Sequence, residues 1–308
     1  MKVMITGGAG FIGMNLAKAL LERNHRVVVL DNLSTGFKDN ISDLDVEFIE
    51  GSLLEDDALS KAVDDADSIM HLGALGSVPR SIEDPLNSHH NNATGTLRLL
   101  EAARAAGVGH VIAASSSSVY GLNPALPKSE RDWVRPMSPY AVSKLATEQY
   151  VLAYQQSFGL KTLAFRFFNV YGPGQRAGHV YAAVIPVFLQ HLLDGESLPV
   201  NGDGTNSRDF TYVGTLCSVL VDAVERRVSH PEPVNLAFGT NTTLLGLVDA
   251  IAEVSRVTPS VEHRAARPGD VPHSRADNTT LRKLFPGVKP VSLHDGLSET
   301  LNWFKEKV

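Results

Sequence analysis

The sequence predicts an α/β protein in which a doubly wound parallel sheet is followed by a smaller C-terminal lobe. Three observations carry this expectation. The first 31 residues read as strand, glycine turn, helix, second strand and terminal acid; strand-like and helix-like segments then alternate to about residue 170; beyond that, glycine and proline break the chain into short pieces. The expected division is a nucleotide-binding domain over residues 1–170 and a lobe over residues 171–308 that serves mainly the substrate.

Val3, Met4 and Ile5 are strand formers, and they lead into Thr6-Gly7-Gly8-Ala9-Gly10-Phe11-Ile12-Gly13. Ile12, Leu16 and Leu20 recur at helical spacing, and a second apolar run, Val27 to Leu30, ends on Asp31. Gly7, Gly10 and Gly13 are spaced one residue looser than the commonest dinucleotide-binding fingerprint. Glycine at these places permits an unusual turn, backbone contact with a diphosphate, and close packing of helix on sheet. The helix that begins near Phe11 and Ile12 adds unpaired N–H groups and a partial positive charge. Asp31 is placed to accept bonds from the adenosine ribose and to repel a 2′-phosphate, so the unit reads as a Rossmann motif that takes NAD in preference to NADP. A glycine triplet alone marks many structural turns; here the strand before, the helix after and the acid beyond give it weight.

Asn32-Leu33-Ser34-Thr35-Gly36 is a polar turn positioned to extend the adenosine contacts. A third strand, Val46 to Glu50, ends in Gly51-Ser52-Leu53, and a fourth, Ser68 to Leu72, ends in Gly73-Ala74. Small residues at the carboxyl ends of parallel strands let a cofactor lie across them, although they also serve close helix packing. His71, between Met70 and Leu72, reads as a core histidine. Asp84-Pro85 is a helix start, and that helix is expected to run to Gly107. Its adjacent His89 and His90 point about 100 degrees apart and make no metal pair. Val108 to Ala114 is a fifth strand ending in Ser115-Ser116-Ser117-Ser118; Ser138-Pro139 opens a helix that Gly159 closes; Thr162 to Phe167 is a sixth strand. Past it, helical segments such as Ala182–Leu193 and Leu244–Val254 are no longer expected to interleave with a regular sheet.

With 308 residues, 20% charged and 43% hydrophobic, the chain has the composition of an ordinary soluble globular protein with a substantial core. A net charge of −6 gives no global attraction for nucleic acid or an anionic membrane. The single cysteine, Cys217, lies in an apolar run and is expected to be a buried thiol. No charged leader precedes the first strand, and no apolar run approaches the ~20 residues that span a bilayer, so the expected location is cytoplasmic.

Tyr140 and Lys144 lie four apart on the helix opened by Ser138-Pro139, so both project from one face. A tyrosine of ordinary pKa near 10 is a poor base, but an adjacent ammonium and a positive nicotinamide ring would both favour its phenolate. Such a pair alone is common on solvated helices; following a dinucleotide unit and a serine-rich strand end, it becomes an acid/base candidate.

Taken together, the residues resemble the extended short-chain dehydrogenase/reductases, in the nucleotide-sugar epimerase and dehydratase branch. The marks are Thr6 to Gly13, Asp31 to Gly36, His71-Leu72, Asn92-Ala-Thr-Gly-Thr96, Ser115 to Gly121, Tyr140-x-x-x-Lys144, Arg166-Phe-Phe-Asn-Val-Tyr-Gly172, Arg208-Asp209 and Arg267-Pro-Gly-Asp270. The resemblance implies Tyr140 as acid/base, Lys144 on the nicotinamide ribose, Ser116 on the reacting oxygen and Asn92 as a cofactor-side support. It further implies that Ser115, Leu53, Leu72, Gly73 and Ala74 lie against the cofactor. For the substrate it implies Ser77, Ser117, Ser118, Asn169, Ala183, Val184, Val200, Asn201, Arg208, Arg267, Asp270 and Ser274, the arginines suiting a diphosphate through their planar forks. Ser52 departs from the family, which usually has an aspartate there to read the adenine amine. A homodimer through the helices 84–107 and 139–158 is also expected by family.

The chemistry so implied is reversible oxidation at C4 of a UDP-sugar, turnover of the 4-keto sugar in the pocket, and return of hydride to the opposite face. Ser274, small where epimerases limited to plain hexoses tend to carry tyrosine, points to UDP-GlcNAc/UDP-GalNAc, with UDP-Glc/UDP-Gal as a second pair. The alternatives are a 4,6-dehydratase or decarboxylase of the same branch, and a non-catalytic NAD-binding sensor. Dehydratases carry Asp-Glu where this chain has Ser117 and Ser118, and a sensor would not be expected to keep Ser116, Tyr140 and Lys144.

Overall fold

The structure is a computed structural model that describes residues 1–178, 182–265 and 271–307. Seven parallel strands form one sheet in the spatial order Val234–Leu236, Lys161–Phe167, His110–Ser116, Ser68–His71, Lys2–Thr6, Arg26–Asp31, Val46–Glu50. The strand order reverses at Lys2–Thr6, flanked by Arg26–Asp31 on one side and Ser68–His71 on the other. A crevice opens at such a switch point, beyond the carboxyl ends of the strands.

Both faces of the sheet are covered, which is why its strands read as continuous apolar runs. Val3, Ile5, Val27 and Val29 point into one core with Leu16, Leu20, Leu216 and Leu220. Met4, Val28 and Leu30 point into the other with Leu59, Leu99, Leu100 and Val151. The helix Val213–Glu225 packs beside Phe11–Glu22 on the first face. Cys217 is buried in that helix, and burial pushes its thiol up to about 12.

Two sequence expectations are corrected here. The second half rejoins the sheet: after Val213–Glu225 the chain returns as Val234–Leu236, pairing Asn235 with Arg166. Three residues between a proline-bearing loop and a glycine carry too little periodicity to announce a strand. The expected helix from Asp84 to Gly107 is not uniform either. It comprises Pro85–His89, a π-helical turn His90–Thr94 and Gly95–Ala105, preceded by a separate short helix, Val78–Glu83. A π turn turns Asn92 inward to bond a loop, and no residue spacing signals it.

Elsewhere in the second half the strands are short pairs: Val170–Tyr171 with Thr211–Tyr212, Ser207–Arg208 with Thr242–Thr243, and Leu198–Asn201 with Val261–Arg264. Among the described residues, no helix is long and apolar enough to cross a membrane, and no cluster of His, Cys, Asp and Glu is arranged to hold a metal ion.

Candidate active site

A cavity of about 720 Å³ lies beyond the carboxyl ends of the central strands. Its wall includes Gly7, Gly10, Phe11, Ile12 and Gly13, then Asp31, Asn32, Ser34 and Thr35, then Leu53, Leu72, Gly73 and Ala74, and finally Ser115, Ser116, Ser117, Tyr140, Lys144 and Asn169. The glycine turn, the strand-end acid and the Tyr-Lys helix therefore share one space.

The glycines are required by contact distance. Gly7 has φ of +70°, and a Cβ on it would meet Gly73 Cα at 2.8 Å. A Cβ on Gly13 would meet the Gly7 carbonyl oxygen at 2.3 Å. Gly36 packs on the Ala9 backbone. The Asp31 carboxylate accepts from the amides of Ala9 and Leu33, each at 2.9 Å, which ties the glycine turn to the following loop. Burial raises its pKa and those two bonds oppose the rise. Each carboxylate oxygen keeps a lone pair for a ribose hydroxyl.

His71 is a core residue. Thr96 Oγ1 donates to the Asn92 carbonyl at 2.6 Å and so accepts from His71 Nε2 at 2.9 Å, while Thr6 Oγ1 stands 2.7 Å from Nδ1. Burial, then the Lys144 charge, bring the imidazole down to about 3, so it is neutral. Thr6 in turn receives the Gly73 amide at 2.9 Å, which fixes the strand end facing the cavity.

Ser138 caps the helix Pro139–Phe158, which carries Tyr140 and Lys144, by accepting from Ala141 N at 3.1 Å, with Pro139 at its first turn and Gly159 in the left-handed conformation at its end. The start of this helix is braced from behind. Asn92 Nδ2 donates to Ser143 Oγ at 2.9 Å, and Ser143 Oγ donates to the Tyr140 carbonyl at 2.8 Å. Asn92 Oδ1 accepts from Leu75 N at 2.7 Å. Both ends of the Asn92 amide are thus spent on protein, while Asn91 stands on the cavity wall. One turn after Lys144, Glu148 pairs with Arg166 at 2.7 and 2.9 Å with both groups buried, locking the helix to the sheet.

Ser116 Oγ accepts from Ser118 N at 3.1 Å and from Ser118 Oγ at 2.9 Å. Its lone pairs are occupied, which leaves its own proton to be donated toward the cavity that Tyr140 also lines. Burial pushes Tyr140 above its ordinary pKa, and the Ser116 bond works the other way. Burial also brings the Lys144 ammonium down to about 8. In this chain burial is the first influence on both groups, and the serine is the lowering influence on Tyr140.

Other candidates are placed outside the cavity wall. Ser52 Oγ accepts from Leu54 N at 3.1 Å in a local turn, with Gly51 and Leu53 facing the cavity on either side. Ser77 caps the short helix Val78–Glu83. Ala183 and Val184 begin the helix Val184–Leu193, and Val200 and Asn201 end the strand Leu198–Asn201. Ser274 N donates to Ser207 O at 3.0 Å, beside Arg208, whose guanidinium donates to the carbonyls of Ser207 and Pro272. Arg208 and Ser274 are thus brought together, though not onto the cavity wall. Arg267 and Asp270 lie outside the described residues. Sequence reading missed Phe37, Asn40, Arg80, Gln175 and Arg176, all on the wall. Phe37, Gln175 and Arg176 sit on connecting segments, Asn40 ends the single helical turn Lys38–Asn40 and Arg80 lies in the short helix Val78–Glu83, all too short for periodicity to mark them.

The chain matches the NAD dependent epimerase/dehydratase family over residues 3–237. It is 36% identical over 313 residues to a UDP-glucose 4-epimerase of Mycolicibacterium smegmatis, covering 100% of this chain and 99% of that one. A UDP-N-acetylglucosamine 4-epimerase from Methanobrevibacter ruminantium, solved with UDP-N-acetylmuramic acid, superposes with a TM-score of 0.94 at 37% identity, over 100% of this chain and 99% of that one. A UDP-glucuronic acid 4-epimerase from Bacillus cereus, solved with UDP-glucuronic acid and NAD, gives 0.91 at 30% identity over 100% of both. With the glycine turn, Asp31 and the Ser116, Tyr140, Lys144 group on one cavity, and with this similarity over its whole length, the chain belongs to the NAD dependent epimerase/dehydratase family.

Proposed function

We propose that the protein is an NAD-dependent UDP-sugar 4-epimerase, with UDP-GlcNAc/UDP-GalNAc as its main pair and UDP-Glc/UDP-Gal as a second. The carrying observation is that Ser116, Tyr140 and Lys144 share a cavity wall with the glycine turn and Asp31. The cradle fits the cofactor: Gly7, Gly10 and Gly13 line the cavity with no side chain between a diphosphate and the backbone, the close approach of Gly73 to Gly7 and of Gly7 to Gly13 leaving no room for one, and Asp31 stands at the strand end for the ribose. Bound NAD supplies the acceptor and donor of hydride. The chain's own residues handle the proton and the positioning: Tyr140 takes the C4 hydroxyl proton and later returns it, Ser116 donates to the oxygen that changes charge, and Lys144 holds the cofactor ribose and adds positive charge.

Among the described residues on the cavity wall the one carboxylate is Asp31, at the cofactor end. The C5 proton removal and C6 hydroxyl loss of a dehydratase have no acid there to serve them, which favours epimerisation. In this reading residues 1–170 hold the cofactor and residues 171–308 mainly the nucleotide sugar, through Asn169 at the junction and Arg208, Arg267, Asp270 and Ser274 beyond it. Exposed Leu86, Val142, Tyr150 and Phe158 support a homodimer through the helices at 84–107 and 139–158. Incubation with UDP-GlcNAc, UDP-Glc and UDP-GlcA, with NMR of the products, tests the assignment: inversion at C4 is expected for the first two, and loss of water or of carbon dioxide would refute it.

A further inference from the structure

The loop that leaves the Val170–Tyr171 strand runs along the cavity, and its residues Gly174, Gln175 and Arg176 line it. It is fastened on one side to the helix behind the glycine turn. Asn15 Nδ2 donates to the Pro173 carbonyl at 3.0 Å, and Gly174, with φ of +92°, lies so close to Met14 that a Cβ would meet its methyl carbon at 2.4 Å. At its far end the Arg176 guanidinium sits 3.8 Å over the Phe37 ring and donates to Asn40 Oδ1 at 3.3 Å. Phe37 and Asn40 belong to the other wall: Phe37 N and Asn40 Nδ2 both donate to the Ala9 carbonyl, at 3.1 and 2.8 Å, and the Ala9 amide is held by Asp31. A residue of the second half is thereby joined to the turn that carries the ribose acid, 136 positions away from Asn40 in sequence.

We propose that Arg176 is a cofactor-retaining residue, latching the Pro173–Arg176 loop over the adenosine and diphosphate portion of the dinucleotide. The inference rests on the epimerase reading, in which the cofactor is regenerated within each turnover and gains nothing by leaving. The latch suits that demand. Its fork stacks on Phe37 and bonds Asn40 while its charge faces a cleft that receives a dianionic diphosphate. It lies at the cofactor end, away from Tyr140, so it governs release and leaves the proton step alone.

The test is the rate at which bound NADH is displaced by excess NAD, followed by nicotinamide fluorescence in wild type, Arg176→Ala, Arg176→Lys, Phe37→Ala and the Arg176→Ala/Phe37→Ala double variant. An exposed stack and one hydrogen bond correspond to a release roughly three- to tenfold faster in Arg176→Ala. Phe37→Ala should match it, and the double variant should be no faster than either, because the two side chains act as one contact. Arg176→Lys, which keeps charge without the planar fork, should fall between. Release unchanged in Arg176→Ala, multiplying effects in the double variant, or a loss of kcat without faster release would overturn the latch. A wild type that holds NADH but epimerises nothing would refute the C4 reading, and the displacement rates would still decide the latch.

Discussion

On the glycine-turn side of the cleft, position is set by backbone: Gly7 against Gly73, Gly13 against the Gly7 carbonyl, strand ends in register from Thr6 to Leu30 and His71. In the second half, position is set by side chains that tie distant segments. The buried Asp209 carboxylate accepts from Gly239 N, Thr240 N, Thr240 Oγ1 and Ala276 N, at 2.9 to 3.1 Å, and so joins the Ser207–Arg208 strand to two other stretches. A backbone-built site tolerates little change in glycine and much in side chains; a side-chain-built site hangs on single residues. This difference suits the proposed division, since the cofactor stays fixed while different sugars must be accommodated and turned.

The largest effect expected falls where the two regions meet. Replacing Tyr140 by Phe should lower turnover by ~10²–10⁴-fold while bound NAD is unchanged, because the lost hydroxyl handles the proton and touches none of the cradle. Turnover near the wild-type value would remove Tyr140 from the chemistry, and lost NAD would blur the distinction between cradle and catalytic helix.

Asp209→Ala breaks the comparison from the other side. Three amides and a hydroxyl lose their acceptor in a buried place, at a cost of roughly 2–4 kcal/mol in unfolding free energy. Asp209→Asn, which keeps an acceptor oxygen, should cost less. Denaturant unfolding measures both, and KM for the nucleotide sugar should rise while NAD affinity holds. Equal loss of NAD affinity would show that the two halves are not built separately.

The same contrast decides how much could be read from sequence. Gly7, Gly10, Gly13 and Asp31 were legible because backbone demands leave fixed spacings, and Ser138-Pro139 with Gly159 announced the helix of Tyr140 and Lys144 by its caps. The π turn at His90–Thr94 was not, since a single extra residue in a helix has no compositional mark. The stack of Arg176 on Phe37 and the bonds Asp209 accepts were hidden for another reason: each joins segments far apart in sequence, and although Asp209 is one of the marks of the resemblance, nothing near it names Ala276 as its partner. The return of Val234–Leu236 to the sheet belongs with these, because three apolar-flanked residues acquire meaning only from Arg166 and Phe167 beside them.

A smaller effect tests the burial of Lys144. Its ammonium is held at about 8 in the fold, against an ordinary 10.5. Between those values the unfolded chain binds the proton that the folded site has released, so this residue makes stability rise with pH, by up to about 1.4 kcal/mol per pH unit. Lys144→Met lacks the effect. The difference in Tm between wild type and variant, measured without added cofactor, should therefore shift in favour of the wild type from pH 8 to 10.5; a flat difference would mean that Lys144 is better solvated than its 4% exposure implies.

The smallest effect, and the one that bears most on the sugar, concerns Ser274. Its amide donates to Ser207 O at 3.0 Å, and Arg208, on the other side of that residue, is the arginine proposed for the diphosphate. A side chain at 274 is thereby set at a fixed distance from the anchoring group, as a residue against the sugar must be. In the proposed reading serine leaves space there for an N-acetyl group and tyrosine would occupy it, while the backbone pairing to Ser207 would be kept because it uses the amide alone. Ser274→Tyr should accordingly reduce kcat/KM for UDP-GlcNAc by about tenfold, the scale on which a pocket discriminates by a few heavy atoms, and leave UDP-Glc within about twofold. An equal fall for both substrates would mean that the substitution disturbs the Asp209-tied framework and not the sugar pocket, and a wild type inactive on UDP-GlcNAc would remove the N-acetylated pair from the proposal while leaving C4 chemistry on UDP-Glc open to the same NMR assay.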